Sequence, residues 1–209
     1  MSVEKINPGD STKVVVTRGG NSVESVDMHG TYTAVCYDKD GNLKWSEDFP
    51  NAVTTQGKNA LLDRYFGGGN ITTGTQGGPA ANTNANRFTW YMGLIVANGY
   101  SAISTADTHA SHAGWLESGA QGAYAPGYSQ ATRRKLTFSA SASGSKATAN
   151  AVIFNVINAG TIKGAFIANS AIKASVNASA VLYSAGLFTV GDKIVTNGDT
   201  LNVTYTASA

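Results

Sequence analysis

The chain has little charge, little proline and almost no cysteine. Charged side chains make up 13% of its 209 residues, about half of the roughly 25% that is typical of soluble domains. Cys36 is the only cysteine, which excludes an intrachain disulfide, and its position in an alternating run predicts a buried thiol. The formal net charge of +2 is too small to drive nucleic-acid binding by counterion release.

Long hydrophobic runs are also missing. The longest uncharged apolar run, "WYMGLIVA", has eight residues and is too short to cross a bilayer. The opening residues "MSVEKINPGD" lack the apolar centre of a secretory signal. We therefore expect no membrane partner and no nucleic-acid partner, and we expect the chain to fold in a cytoplasm.

One cluster of basic residues stands at the start of a predicted strand. It consists of Arg133, Arg134 and Lys135. Three positive charges at such a place predict a solvated sheet edge rather than a nucleic-acid surface.

Small and β-forming residues fill the composition instead, with 24 glycines against 4 prolines. Short alternating runs separated by turn residues predict a mainly β fold, an antiparallel β-sandwich or jelly-roll. In the last strand, Leu201, Val203 and Tyr205 alternate with polar residues, as on a sheet with one wet face. The dense run "RFTWYMGLI" predicts a strand that is buried on both faces.

Two local elements are predicted more closely. Asp40 and Gly41, between alternating flanks, predict a hairpin with a type I′ turn. One short helix is predicted at about residues 54–66. It is capped by Thr54 or Thr55 and followed by three glycines.

The domain organisation is predicted from changes in composition. Residues 1–50 are interpreted as an N-terminal β-hairpin or docking extension, and residues 51–209 as the β-sandwich core. Residues 67–87 are rich in Gly, Asn and Thr and predict a long exposed loop. We favour an arm that contacts a neighbouring subunit there, and a disordered loop is the alternative.

The segment "TADTHASHAGWLES" is the strongest candidate for chemistry. Asp107, His109 and His112 could meet at one metal ion of a metal-dependent enzyme. The histidines are three residues apart and no glutamate follows the first, which departs from the helical zinc motif. The favoured interpretation is a loop that Trp115 anchors in the core, with both histidines hydrogen-bonded to backbone. The sequence thus predicts no metal.

Other reactive motifs are equally weak. "DKDGN", residues 38–42, begins like a calcium loop, but a glycine stands at its fourth position where a calcium loop has one at the sixth, so a hairpin turn is the better explanation. Neither a nucleophile elbow nor a phosphate-binding loop is present. We predict that the protein is not an enzyme, has no catalytic residues and binds no cofactor.

Several separate blocks occur in a fixed order: "TTQGKNALLDRYFGGG", "TWYMGLI", "DTHASHAGWLE", "YSQATRRKLTF" and "GDTLNVTYT". By these blocks, from Val53 onward, the chain resembles a family of structural proteins of tailed-bacteriophage virions. Residues 1–50 carry none of the resemblance.

The resemblance implies a structural role in the virion. The favoured function is that of a capsid decoration (cement) protein that stabilises the head shell, as a dimer or trimer in contact with the major capsid protein or other virion proteins. The alternative is a neck, collar or tail-associated protein, a fibre or adaptor that could bind a receptor. For receptor binding the only candidate aromatic residues are Trp115, Tyr124 and Tyr128, and packing in the core is the favoured interpretation for them.

Overall fold

The structure is a computed structural model that describes residues 28–66, 71–72, 75–76, 89–119, 124–173 and 177–208. The β-branched run "KVVVTR", from Lys13 to Arg18, predicts a strand, and it lies outside the described residues. Of the predicted loop at 67–87, only two short strands are described, so the interpretation as an arm stays a prediction.

Antiparallel strands dominate the described residues and confirm the predicted mainly β fold. The strands are β1 (His29–Tyr37), β2 (Leu43–Val53), β3 (Ile71–Thr72), β4 (Thr75–Gln76), β5 (Tyr91–Val96), β6 (Arg134–Lys135), β7 (Ser145–Ala147), β8 (Val152–Asn155), β9 (Gly160–Ala168), β10 (Leu182–Leu187), β11 (Lys193–Val195) and β12 (Thr200–Ser208). The described helix, α1, spans Thr55–Phe66, as predicted.

Ten of the strands form one curled sheet in the order β6-β5-β9-β10-β2-β1-β12-β7. In addition, β11 pairs with β9 and β8 pairs with β12, while β3 and β4 pair only with each other. The long strand β2 belongs to both halves of the sheet: its residues up to Pro50 pair with β1, and Asn51 to Val53 pair with β10. The two halves face each other, which gives the architecture of a β-sandwich.

The main core lies between these halves. Side chains from β1 and β12 meet side chains from β5 and β9 there, and aromatic rings fill its centre. Tyr32 stacks on Phe49 with a centroid distance of 5.2 Å and meets Tyr205 at 4.8 Å. The Tyr32 hydroxyl lies 3.0 Å from Ser184 Oγ, so this buried phenol has a hydrogen-bond partner. The alternation predicted for β12 is confirmed, because Leu201, Val203 and Tyr205 are buried.

A second, smaller core covers the opposite face of β5, β9 and β10. It contains Ile95, Trp115, Phe166 and Leu182. Because both faces of these strands are covered, their side chains are almost continuously buried. The double-faced burial predicted for the run around residues 91–96 is therefore confirmed.

The β1–β2 hairpin differs from its prediction. Gly41 has a φ of +84°, but Asp40 does not share it, so the type I′ assignment is wrong. The Asp38 carboxylate accepts hydrogen bonds from the backbone N–H groups of Asp40 (2.9 Å) and Asn42 (2.8 Å), and the Gly41 N–H donates to the Asp38 carbonyl at 3.1 Å. This Asx turn starts the loop at Asp38 and leaves positive φ to the glycine alone.

The division expected at residue 50 falls inside a strand. Pro50 and Asn51 are consecutive residues of β2, and β1 and β2 lie between β12 and β10. From residue 28 onward the hairpin therefore shares the sheet and the core of the remaining chain.

Candidate functional site

The histidine loop, residues 101–118, lies over the second core rather than around an open cavity. Trp115 is its anchor: it is 1% exposed and its ring lies 5.0 Å from that of Phe166. Backbone hydrogen bonds from Ser101 and Ala102 to the Gly114 carbonyl close the base of the loop. The predicted anchoring by Trp115 is confirmed.

Two polar side chains hold that tryptophan. His112 stacks on it at a centroid distance of 3.9 Å, and its Nδ1 lies 3.1 Å from the Trp115 carbonyl oxygen, as the backbone-bonded interpretation predicted. Asp107 Oδ2 accepts hydrogen bonds from the indole Nε1 and from the Ser104 N–H, each at 2.9 Å. Asp107 and His112 therefore both contact Trp115 within the histidine loop.

His109 belongs to a different group, a buried charge cluster formed with Glu117 and Arg133. These side chains are 2–4% exposed. Arg133 binds Glu117 with two parallel hydrogen bonds, Nε to Oε1 at 2.8 Å and Nη2 to Oε2 at 2.9 Å. Its Nη1 lies 2.8 Å from His109 Nε2 and donates to the Ser170 carbonyl at 3.0 Å. Its guanidinium carbon stands 5.0 Å from the centre of the Phe166 ring.

The cluster corrects the prediction for the basic residues. Arg133, expected on a solvated edge, is buried and ion-paired; Arg134 and Lys135 do form the outer strand β6 at one end of the sheet order. The sequence carried no local signal for the Arg133–Glu117 pair, since 16 residues separate its members and only the fold brings them together.

Burial away from solvent keeps the His109 ring neutral. Burial and the adjacent Arg133 guanidinium lower its pKa from 6.5 to about 4. A guanidinium can only donate hydrogen bonds, so Nε2 must be the acceptor in that contact. The Asn177 backbone N–H lies 3.2 Å from Nδ1, so a donor faces each ring nitrogen. An imidazolium, which carries an N–H at both nitrogens, would therefore find no acceptor at either one. At neutral pH the ring is therefore uncharged, and it acts as a hydrogen-bonding group rather than as an acid.

The three residues considered for a metal are not brought together. Asp107 binds Trp115 and Ser104, while His109 binds Arg133. Within the described parts of the chain, no three His, Cys, Asp or Glu side chains form a group that could hold a metal ion. In the calcium-like loop, Asp38 is occupied by its own backbone.

A weakly charged surface lies on the outside of the sheet. We call it the threonine face, and it consists of the outward side chains Thr31, Thr33, Val35 and Tyr37 of β1, Ser46 and Asp48 of β2, Ile153 of β8, and Thr200, Asn202, Thr204 and Thr206 of β12. The register sets Thr31 opposite Thr206 and Thr33 opposite Thr204. Asp48 is its one charged member, and Lys44, which is exposed two residues before Ser46, is paired with Asp199 at 2.5 Å. An opposing protein surface that covers this face therefore desolvates little unpaired charge.

Ile153 makes part of this face apolar. It is 42% exposed, lies opposite Asn202, and Asn202 lies opposite Val35 on the next strand. An apolar side chain at this exposure contributes free energy to association when a partner covers it.

The strands at the ends of the sheet order are short. β6 has two residues and β7 has three. Short edges offer few unpaired backbone groups to a further strand. Side chains on the faces, more than edge pairing, are therefore the surfaces available for association.

The aromatic residues considered for receptor binding are largely inside. Trp115 and Tyr128 are buried, which confirms the core interpretation for both, and Tyr124 is half-buried. Among the described helical residues, none forms a stretch long and apolar enough to cross a membrane.

Comparisons with protein-family models and with curated protein sequences find no match for the chain.

Proposed function

We propose that this chain is a structural protein of a tailed-bacteriophage virion, and that it works as a capsid decoration (cement) protein. The observation that carries the proposal is the threonine face: a broad, nearly uncharged sheet surface with an exposed isoleucine. The ordered sequence blocks that resemble virion proteins support the same conclusion, since four of the five lie wholly or largely in described strands, the helix and the histidine loop.

Binding through this face explains how such a protein stabilises a shell. Specific protein interfaces usually bury more than about 1,000 Å² in total. A partner that covers four strands side by side reaches that size without needing an arm. Many copies on a shell then add many contacts that a departing capsid subunit must break.

The location is tested first. Virions purified from the host that produces this chain should contain it in many copies by quantitative mass spectrometry, and antibody labelling should place it on the head. Labelling of the neck or tail would support the alternative location in place of the cement function. Absence from purified virions would contradict both.

The face is tested by a matched pair of variants. Ile153→Asp puts a charge into the threonine face, whereas Ile194→Asp makes the same change on β11, which pairs with β9 in the other half of the sheet; Ile194 is 68% exposed. We expect Ile153→Asp to be lost from virions, and those virions to lose infectivity on heating as virions without the protein do. Ile194→Asp should be incorporated normally. Equal incorporation of the two variants would contradict a role for this face.

A further inference from the structure

A cavity opens at one end of the sandwich. The cavity there has a volume of about 660 Å³, within the range of about 300–1,000 Å³ that small-molecule sites occupy. Its floor is made by Ile167, Tyr183 and Tyr205, all buried, and its walls by Leu61, Trp90 and Phe138. Its volume and its buried aromatic floor are those of a cleft that can take up a small molecule.

The lining is aromatic and uncharged over most of its depth. The rings of Trp90 and Tyr183 lie 5.4 Å apart, and those of Tyr183 and Tyr205 lie 6.3 Å apart and nearly perpendicular. Burial raises the pKa of both tyrosines, so the floor stays neutral at physiological pH. These surfaces favour an apolar body and offer nothing to a charged group.

The mouth differs, because it carries one cation. Lys146 lies at the hairpin that ends in a tight turn at Ser143 and Gly144, both with positive φ. Its Nζ donates to the Ser139 carbonyl at 2.9 Å and lies 3.4 Å from Ser141 Oγ, which holds the ammonium at the rim. Among the described residues, Lys146 is the only charged side chain that lines the cavity, and it forms no salt bridge with a described carboxylate.

We propose that this cavity binds an amphipathic anion, with the apolar body between the aromatic walls and the anionic group beside Lys146. A fatty carboxylate has this form. The site is independent of the threonine face and of the proposed virion function.

The test uses the full 209-residue chain and two fluorescent probes. One is the amphipathic anion 8-anilinonaphthalene-1-sulfonate, and the other is the uncharged 1-aminoanthracene. Both should bind saturably with one site per chain, and dodecanoate should displace them. Near-ultraviolet circular dichroism, unchanged by the probes, checks that they bind the folded protein.

Three variants separate the parts of the site. Lys146→Gln should weaken binding of the sulfonate probe about fivefold and leave the affinity for the uncharged probe unchanged. Lys39→Gln, in the hairpin turn, should alter the affinity for neither probe. Ala207→Phe adds a ring at the cavity wall and should abolish binding of both probes. Ala113→Phe adds the same ring in the histidine loop, over the second core, and should leave binding intact.

Two results would overturn the proposal. The first is that the folded chain shows no saturable binding of either probe or of dodecanoate. The second is that Ala207→Phe, folded by circular dichroism, binds both probes as the unsubstituted chain does.

Discussion

At the scale of single residues, Arg133 and Glu117 form an ion pair that is buried in the fold. Both charges leave water, and such a pair is tolerated only when its geometry and its further hydrogen bonds are good. The two parallel contacts below 3.0 Å and the Ser170 carbonyl meet this condition. The pair therefore fixes the position of the histidine loop on the sheet, and the loss of either member breaks a buried ion pair.

Replacing Arg133 tests this directly. Arg133→Met should lower the free energy of unfolding by about 3 to 5 kcal/mol, because the buried Glu117 carboxylate loses its ion pair with the guanidinium. The double variant Arg133→Met/Glu117→Leu should recover much of the loss. Urea unfolding of the unsubstituted chain and of the two variants measures these free energies.

Lys135→Met is the control, since Lys135 is exposed on β6, and it should change the free energy of unfolding by no more than about 0.5 kcal/mol. If Arg133→Met were equally harmless, the pair would have no role in holding the loop.

His109 predicts a dependence of stability on pH. Its pKa is lowered from 6.5 to about 4 in the folded chain, so between these values the unfolded state binds more protons than the folded state. Stability is then complete above pH 6.5 and falls by about 3 kcal/mol as the pH drops towards 4. Thermal unfolding across this range measures it.

His109→Gln should flatten the slope between pH 6.5 and 4, and His29→Gln, at the exposed start of β1, should not. The Glu47 carboxylate affects stability only at lower pH. Burial alone would raise its pKa, but Lys193 and the N–H groups of Thr189 and Val190 lower it to about 2. A slope that persists in His109→Gln would contradict the assignment.

At the scale of elements, helix α1 is fixed mainly at its first turn. Thr54 Oγ1 accepts the Gly57 N–H at 2.9 Å and also donates to the Leu182 carbonyl. Gln56 Oε1 accepts N–H groups from His109 (3.1 Å) and Leu182 (2.8 Å). These two side chains tie the helix to β10 and to the histidine loop at once. Within the helix, Ala60 is buried and Leu62 is exposed.

The cap gives a prediction with a close control. Thr54→Ala should destabilise the protein by about 1 to 2 kcal/mol, because the buried Gly57 N–H and Leu182 carbonyl lose their partner. Thr55→Ala, one residue along and exposed, should have an effect of no more than about 0.5 kcal/mol. Chemical denaturation of both variants compares them, and equal effects would mean that Thr54 is not the cap.

Some elements of the fold are predicted by local sequence patterns, and others form only through contacts with distant parts of the chain. The helix, its cap, β5 and β12 follow from local patterns in the sequence: a capping residue, a dense apolar run and an alternating run. β11 was not predicted, because its three residues become a strand only through pairing with β9. The first turn was predicted wrongly because the Asp38 side chain competes with the backbone for the same N–H groups.

At the scale of the whole molecule, the two cores make one cooperative unit. Strand β2 joins both halves of the sheet, and β5, β9 and β10 carry packed side chains on both faces. Unfolding one half would expose the core of the other. We therefore expect the described β-structure to unfold in a single transition.

Cys36 reports on that transition. It is fully buried, and burial raises the pKa of its thiol to about 11, so neither access nor thiolate is available in the folded state. Labelling by 5,5′-dithiobis(2-nitrobenzoic acid) in native buffer should be slow, and the logarithm of its rate should rise in Arg133→Met in proportion to the loss of stability. Rapid labelling of the folded protein would show local opening of β1 instead.

By itself the sequence determined the β class, the helix, the buried cysteine and the wet face of the last strand. Each of these depends on neighbours within a few residues, where periodicity and turn chemistry act. The tertiary structure alone decided that Arg133 is buried against Glu117, that His109 and Asp107 serve different partners, and that an aromatic cavity opens beside Lys146. These features join residues far apart in the chain, and their energies depend on burial, which exists only after the sheet has curled.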